Sequence, residues 1–367
     1  MLFSNKSHIA IFKIVFVFSF FLAQSSGYRY LSIMLQPTGK RARSRTPITA
    51  RFSLQDDIFS PKANHPTTFD HDPPFAFKPL NDPVVRDELL VRSRTRLSEV
   101  HVRFFETHMQ SSAGISPAKV AHALSTAQCV DAKELFESLE FYLRIRRRIR
   151  RSVVVDLACG HGLCGLLFAA LEPSVEGVVL IDARRPRSFD GVLAAVASVA
   201  PWVTDKVHFL EQNLYGLSAP CRTGEQVALL DGAGLGHDGG LSPPQTDPQT
   251  PPGGASGGDG PALELPPALH GRACGFVAVH ACGRATDRCL AIAAAAGGPV
   301  AAMPCCYTGC GQTAPYGVRR MLGKGAATDV DRAYAMERAG YAVDFAAIPR
   351  AVTPMNRILV AVPRAAA

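Results

Sequence analysis

Acidic residues are missing from the first 55 positions, although this stretch holds eight lysines and arginines. The apolar run at 14–23 is shorter than the roughly 20 residues that a membrane-spanning helix needs. A basic residue, a short apolar run and then small residues are typical of a signal peptide, and the Arg-, Ser- and Thr-rich stretch at 28–53 is typical of a transit peptide. We therefore expect residues 1–55 to be a two-part leader into a plastid, with no stable membrane association after its removal. Secretion and mitochondrial import are the alternatives.

Cysteine is absent before Cys129, and none of the ten cysteines forms a C-x-x-C pair. A small secreted domain held by disulfides would be shorter and would space its cysteines through its loops. We expect most of these residues to be reduced thiols that are buried or line a site. Because the sequence has no C-x-x-C pairs, a metal site built from Cys282, Cys305, Cys306 and Cys310 has little support, and no metal is expected.

The composition is 47% hydrophobic and 19% charged, which excludes a disordered chain and a membrane bundle. A net charge of +8 can indicate nucleic-acid binding, but much of the excess positive charge lies in the leader. Changes in composition divide the rest of the chain. The predicted segments are a Pro-rich linker (56–84), a helical extension (85–150) and an α/β domain (151–367) with a disordered Gly/Pro-rich insertion (231–267).

Strand and helix patterns alternate after Ser152, as in a doubly wound α/β sheet. Two helices are expected before it, at Asp87–Gln110 and Ala132–Arg150. The last two strands flank 349–356 and predict a terminal hairpin. The predicted strands are Val153–Asp156, Val178–Asp182, Val207–Leu210, Phe276–His280, Pro299–Met303, Tyr341–Ile348 and Arg357–Val362.

The strongest motif follows the first strand, where Gly160, Gly162 and Gly165 have the G-x-G-x-x-G spacing at the start of a helix. Glycines allow a tight turn there, and they let a ligand approach the loop backbone, including that of Ala158. Asp156 ends the strand and would repel a pyrophosphate at the helix N-terminus. It suits a ligand with a cationic amino group instead, as in S-adenosylmethionine.

Asp182 ends the second strand about twenty residues later, where an acid can accept hydrogen bonds from ribose hydroxyls. Gln212 and Asn213 follow the third strand and are candidates for contacting the adenine amino group. The alternative for Asp156 and Asp182 is that they only cap neighbouring helices. Gln212 and Asn213 can likewise have a purely structural role.

The fourth strand ends in His280, and Cys305, Cys306 and Tyr307 follow the fifth strand, where an acceptor molecule would meet the cofactor. His280 can orient or deprotonate a nucleophile, contact the cofactor, or line the wall of the site with its hydrogen bonds satisfied. Tyr307 can stack on a planar acceptor or hydrogen-bond to it. A thiolate of Cys305 or Cys306 can act as a nucleophile, although lining the pocket is the expected role. Thr286 and Asp287 are expected to cap the next helix.

Six arginines occupy 144–151, at the end of the second predicted helix. They can complement the negative end of the helix dipole, or they can contact nucleic acid.

Four stretches resemble the class I S-adenosylmethionine-dependent methyltransferases. Within that superfamily, they are similar to the methyltransferase domain of glutathione-S-transferase C-terminal-domain-containing proteins, a group related to some tRNA-modifying enzymes. The resemblance covers about 132–362 without the insertion. It rests on the motifs Asp156–Gly162, His280–Asp287, Pro304–Tyr307 and Thr353–Asn356.

The resemblance implies a Rossmann-like, mostly parallel seven-stranded sheet with a terminal antiparallel hairpin. It also implies an enzyme that transfers a methyl group from S-adenosyl-L-methionine. RNA is the first hypothesis for the acceptor, with a protein side chain or a small molecule as the alternative. A non-catalytic S-adenosylmethionine-binding module and a nicotinamide-dependent oxidoreductase are two further hypotheses.

Overall fold

Seven strands form one mixed sheet in the computed structural model, in the order β3-β2-β1-β4-β5-β7-β6. Strands β1 to β5 are parallel, whereas β7 runs antiparallel to both β5 and β6. The strands are β1 (Val153–Leu157), β2 (Gly177–Asp182), β3 (Val207–Glu211), β4 (Cys274–Val279), β5 (Val300–Met303), β6 (Tyr341–Ala347) and β7 (Arg357–Pro363).

This topology is a Rossmann-like, mostly parallel seven-stranded α/β sheet with a terminal antiparallel hairpin, which confirms that architecture as predicted. All five residues of β1 are buried, as are the first five of β2, because helices cover both faces of the sheet. The last strand along the chain lies between β5 and β6, so the two terminal strands form the expected antiparallel pair.

The structure describes residues 72–91, 96–109, 114–217, 263–307 and 314–364, which all belong to one compact unit, Pro61–Ala367. The predicted leader, most of the linker and the insertion up to 262 lie outside these residues. Among the described helices, none is long and apolar enough to cross a membrane. The helices are α1 (Pro83–Arg86), α2 (Glu99–Met109), α3 (Pro117–Ala127), α4 (Ala132–Ile149), α5 (Leu163–Leu171), α6 (Phe189–Ala197), α7 (Val203–Lys206), α8 (Arg284–Ala296) and α9 (Tyr316–Arg338).

The single helix predicted at Asp87–Gln110 is wrong, because the chain is not helical at 96–98. A π-helical turn covers Asp87–Val91, and α2 begins after Ser98. The Ser98 carbonyl accepts hydrogen bonds from His101 and Val102, so a new helix begins at this point. The apolar spacing alone concealed the break.

Helix α4 confirms the second predicted helix and packs in the same hydrophobic core as α5 and the sheet. Its last carbonyl, that of Ile149, lies directly on strand β4. A Cβ atom added at Gly275 would lie 1.9 Å from that oxygen, which leaves room for glycine alone. The helical segment is thus fixed to the sheet by a backbone contact.

Replacing Gly275 with Ala is expected to destabilise the protein by about 3 kcal/mol, because the helix or the strand must move to admit a methyl group. Urea unfolding measures the change in free energy. Gly317 lies in α9 with open space at its Cβ position, so Gly317→Ala is the matched control and should stay within about 1 kcal/mol of the wild type. Equal stability of the two variants would contradict the close contact.

Candidate functional site

The loop between β1 and α5 turns sharply through three residues with positive φ. They are Ala158 (55°), Gly160 (54°) and Gly162 (74°). For Ala158 this left-handed conformation costs about 1 kcal/mol, a strain that proteins tend to keep at functional sites. A Cβ atom at Gly160 would meet nothing within 4 Å, so the space in front of this part of the loop is open to a ligand.

The other two glycines of the motif admit close packing of α5 on the sheet. Cβ atoms at Gly162 and Gly165 would lie 2.7 and 2.4 Å from the methyl groups of Leu180 on β2. These positions hold the helix against the strand, whereas Gly160 faces the open space. The G-x-G-x-x-G spacing therefore combines one position for ligand approach with two for packing.

Asp156 lies beneath this loop, 1% exposed, and one carboxylate oxygen accepts a hydrogen bond from the Gly165 amide at 2.9 Å. Burial raises the pKa of Asp156 to about 7, while the Gly165 hydrogen bond and nearby His161 act in the opposite direction. The carboxyl group of Asp156 therefore holds a proton at a higher pH than an exposed carboxyl group does. A cationic group bound nearby would favour its ionised form.

Asp182 stands at the end of β2, where its Oδ2 accepts a hydrogen bond from the Gly160 amide at 2.9 Å. The Asp182 carbonyl in turn accepts one from the Gln212 amide at 2.8 Å. The predicted residues after β1, β2 and β3 are therefore neighbours at one edge of the sheet.

The two candidate amides differ in what they contact. Asn213 Oδ1 accepts a hydrogen bond from the Tyr215 amide at 3.0 Å and so caps a short 3₁₀ turn, Leu214–Gly216. The side-chain oxygen of Gln212 is buried and has no hydrogen-bond partner among the described residues. Buried polar atoms are normally satisfied, so the oxygen of Gln212, unlike that of Asn213, still lacks a partner among the described residues.

His280 follows β4 with a φ of 63°, and its Nε2 lies 2.9 Å from a carboxylate oxygen of Glu137 on α4. The second oxygen of Glu137 lies 2.8 Å from Lys133 Nζ. Burial raises the pKa of Glu137, but the hydrogen bonds from His280 and Lys133 outweigh it and hold the pKa below its usual value. Glu137 is 1% exposed and therefore a buried, paired carboxylate.

A second histidine pairs with the same helix. His161 Nε2 lies 3.2 Å from Glu134, and this hydrogen bond is the main reason that the pKa of Glu134 is lowered. The N-terminal half of α4 thus contacts both the glycine loop and the loop after β4. Neither Glu134 nor Glu137 was predicted as a site residue. Glu137, like Glu140, lies among the apolar positions of α4. A buried acid needs a partner, so this pattern was the available signal for Glu137.

Tyr307 is 8% exposed, and its hydroxyl donates a hydrogen bond to Asp329 at 2.6 Å. Arg332 and Arg357 each lie 5.7 Å from the centre of its ring. Burial and Asp329 raise the pKa of the Tyr307 phenol, so it stays protonated. The hydroxyl is therefore engaged within the protein, and stacking of the ring on a planar acceptor stays a prediction.

The loops after β4 and β5 bring three cysteines together. Cys282 and Cys305 form a disulfide with their Cα atoms 6.0 Å apart, and the sulfur of Cys306 lies within 4.8 Å of both. Cys310 lies outside the described residues. The cap of α8 is Gly283, so the prediction that Thr286 and Asp287 cap this helix is wrong. Thr286 donates to the Ala281 carbonyl, and Asp287 forms an ion pair with Arg332.

The arginines at 144–151 have mostly structural contacts. Four of the six form ion pairs with acidic residues, and all but the Arg144 pair, which lies within α4, join the end of this helix to the chain around it. The pairs are Arg144 with Glu140, Arg146 and Arg150 with Glu172, and Arg148 with Asp344.

The sequence matches no protein-family model and no curated protein. Several solved structures are similar to it, and they include the following two. The methyltransferase domain of bacterial CtHen1-C is 10% identical, over 60% of this chain and 94% of that chain, with a TM-score of 0.31. A possible exported protein from Bordetella parapertussis is 14% identical, over 71% of this chain and 78% of that chain, with a TM-score of 0.32. Similarities this distant support no conclusion about activity. Neither confirms the resemblance to the glutathione-S-transferase C-terminal-domain-containing group.

Replacing Glu137 with Gln tests the link between α4 and His280. The carboxylate accepts a hydrogen from Nε2 and should hold the neutral imidazole in its Nε2–H tautomer, whereas an amide can accept or donate and should give a mixture. Nitrogen NMR of the full chain with labelled histidine measures the tautomer, and His280→Gln assigns the signal. Glu134→Gln, at the neighbouring pair, should leave the His280 signal unchanged. An unchanged signal in Glu137→Gln would contradict the contact.

Proposed function

We propose that this protein is an S-adenosyl-L-methionine-dependent methyltransferase. The observation that carries the proposal is the position of Asp182, whose carboxylate is joined to the Gly160 amide at the mouth of the glycine loop. There it can accept hydrogen bonds from the hydroxyls of a ribose above the loop.

The surrounding polar atoms also fit this cofactor. The buried, unpaired oxygen of Gln212 suits the donor amino group of adenine. The backbone at Gly160 is open to a ligand, and the Asp156 carboxylate beneath the loop suits a cationic amino group. A dinucleotide would instead bring a pyrophosphate towards the Asp156 carboxylate, which disfavours the nicotinamide-dependent alternative.

The bound cofactor supplies an already activated methyl group, so alignment of the acceptor contributes most of the acceleration. On the acceptor side, the hydrogen bond to Glu137 occupies Nε2 of His280 and leaves Nδ1 as a proton acceptor. His280 is thus our candidate for the group that removes a proton from the acceptor. Glu137 is the residue that positions it, and Lys133 balances the charge of Glu137.

RNA is our proposed acceptor class, on the resemblance of the sequence to a group related to tRNA-modifying enzymes; the net charge of +8 adds no support, because residues 1–55 alone hold eight lysines and arginines and no acid. The arginines at 144–151 add less to this proposal than the sequence suggested, because four of the six are paired with acids. A protein side chain or a small molecule is the alternative acceptor. We also propose import into a plastid, on the composition of residues 1–55.

Calorimetric titration of the full chain tests the cofactor assignment. S-adenosylmethionine is expected to bind with micromolar affinity, and NADH is not expected to bind. Asp182→Ala should weaken S-adenosylmethionine binding by about 30-fold, equal to about 2 kcal/mol for a charged hydrogen-bond acceptor. Asp205 is an exposed acid on α7, so Asp205→Ala is the control and should bind normally. A folded chain that binds no S-adenosylmethionine, or that binds NADH instead, would refute the proposal.

A further inference from the structure

The cluster formed by Cys282, Cys305 and Cys306 has chemistry that methyl transfer does not require. Cys282 follows β4, and the other two cysteines follow β5, the parallel neighbour of β4. The parallel pairing brings both loops to the same edge of the sheet. The two loops are joined by backbone hydrogen bonds. The His280 amide donates to the Met303 carbonyl, and the Gly283 amide donates to the Cys306 carbonyl.

We propose that, in the reduced protein, Cys282, Cys305 and Cys306 form a zinc site. Their three sulfur atoms lie within 4.8 Å of one another. Tetrahedral zinc holds thiolates at about 2.3 Å, which places their sulfurs about 3.8 Å apart. A disulfide between Cys282 and Cys305 uses only two of these atoms, and Cys306, the next residue along the chain, supplies a third ligand atom within reach of both.

The environment favours thiolates in this cluster. Cys282 immediately precedes Gly283, the cap of the 13-residue helix α8, and the positive end of a helix stabilises a nearby thiolate. All three cysteines are partly exposed, so a metal ion can reach them from solvent.

The other thiols indicate which redox state is relevant. Elsewhere in the described part of the chain, Cys129, Cys159, Cys164, Cys274 and Cys289 are thiols. A protein that keeps so many thiols suits a reducing compartment. There a dithiol reductant breaks the Cys282–Cys305 bond and gives up two electrons and two protons as it becomes a disulfide itself. The two thiols that result lose their protons when they bind zinc.

Three thiolates leave the fourth position of a tetrahedral zinc ion open, which is the arrangement of sites that also bind water or a ligand atom. The open position would lie at the edge of the sheet that carries His280. The site we infer is therefore a zinc centre with an exchangeable fourth ligand, and it does not depend on S-adenosylmethionine binding.

The test measures zinc by mass spectrometry in the full chain purified with a thiol reductant and without chelator. About one zinc per chain is expected in the wild type, and a loss of most of it in Cys306→Ser. This variant is the sharpest one, because it leaves the two disulfide partners in place. Cys274→Ser removes a partly exposed thiol outside the cluster and should keep its zinc. No zinc in the wild type, or full zinc in Cys306→Ser, would overturn the proposal.

Cobalt substitution keeps the proposal testable if Cys306→Ser fails to fold. Cobalt(II) added to the reduced wild type should give a thiolate-to-metal charge-transfer band, and oxidation to the Cys282–Cys305 disulfide should abolish it. Absence of the band from reduced protein would overturn the proposal. S-adenosylmethionine titration of the same samples separates the two hypotheses, because zinc bound without cofactor binding refutes only the proposed methyltransferase.

Discussion

The parallel pairing of β1 with β2 and β4 is the constraint on which the rest of the site depends. It brings the carboxyl ends of these strands to one edge of the sheet, so residues far apart in sequence become neighbours. The hydrogen bond from the Gly160 amide to Asp182 Oδ2 joins the first two loops across 22 positions of sequence. Asp156 lies beneath the same loop, bonded to the first turn of α5. A ligand at this edge would meet the Asp182 carboxylate and a backbone shaped by glycine, with the Asp156 carboxylate buried beneath them.

Helix α4 connects this edge to the segment that precedes the sheet. At its C-terminal end, the carbonyl of Ile149 lies against Gly275, while near its N-terminal end Glu137 is buried between Lys133 and His280. Glu137 would be costly to bury without these partners. The position of Glu137 therefore depends on Lys133 in the same helix and on the loop after β4, where His280 has a positive φ. The helix acts as one wall of the candidate site, in addition to covering the sheet.

The sequence predicts most of the sheet, because buried strands such as Val153–Leu157 are continuous apolar runs and the glycine spacing marks the first loop. Other features depend on distant partners. His280 and Glu137 are 143 positions apart, and no local pattern joins them. The contacts of Tyr307 with Asp329 and Arg357 arise only when α9 and β7 pack beside it, so the local sequence does not reveal them. The disulfide between Cys282 and Cys305 likewise has no local sequence signature.

A crystal structure of the full chain with S-adenosylmethionine tests the central claim most directly, since that claim concerns where the cofactor binds. We predict that the ribose hydroxyls lie within hydrogen-bond distance of the Asp182 carboxylate, and that the adenine amino group donates to the side-chain oxygen of Gln212. We also predict that the methyl group faces the side of the edge that carries His280. Cofactor bound elsewhere on the protein, with no contact to Asp182, would contradict the account.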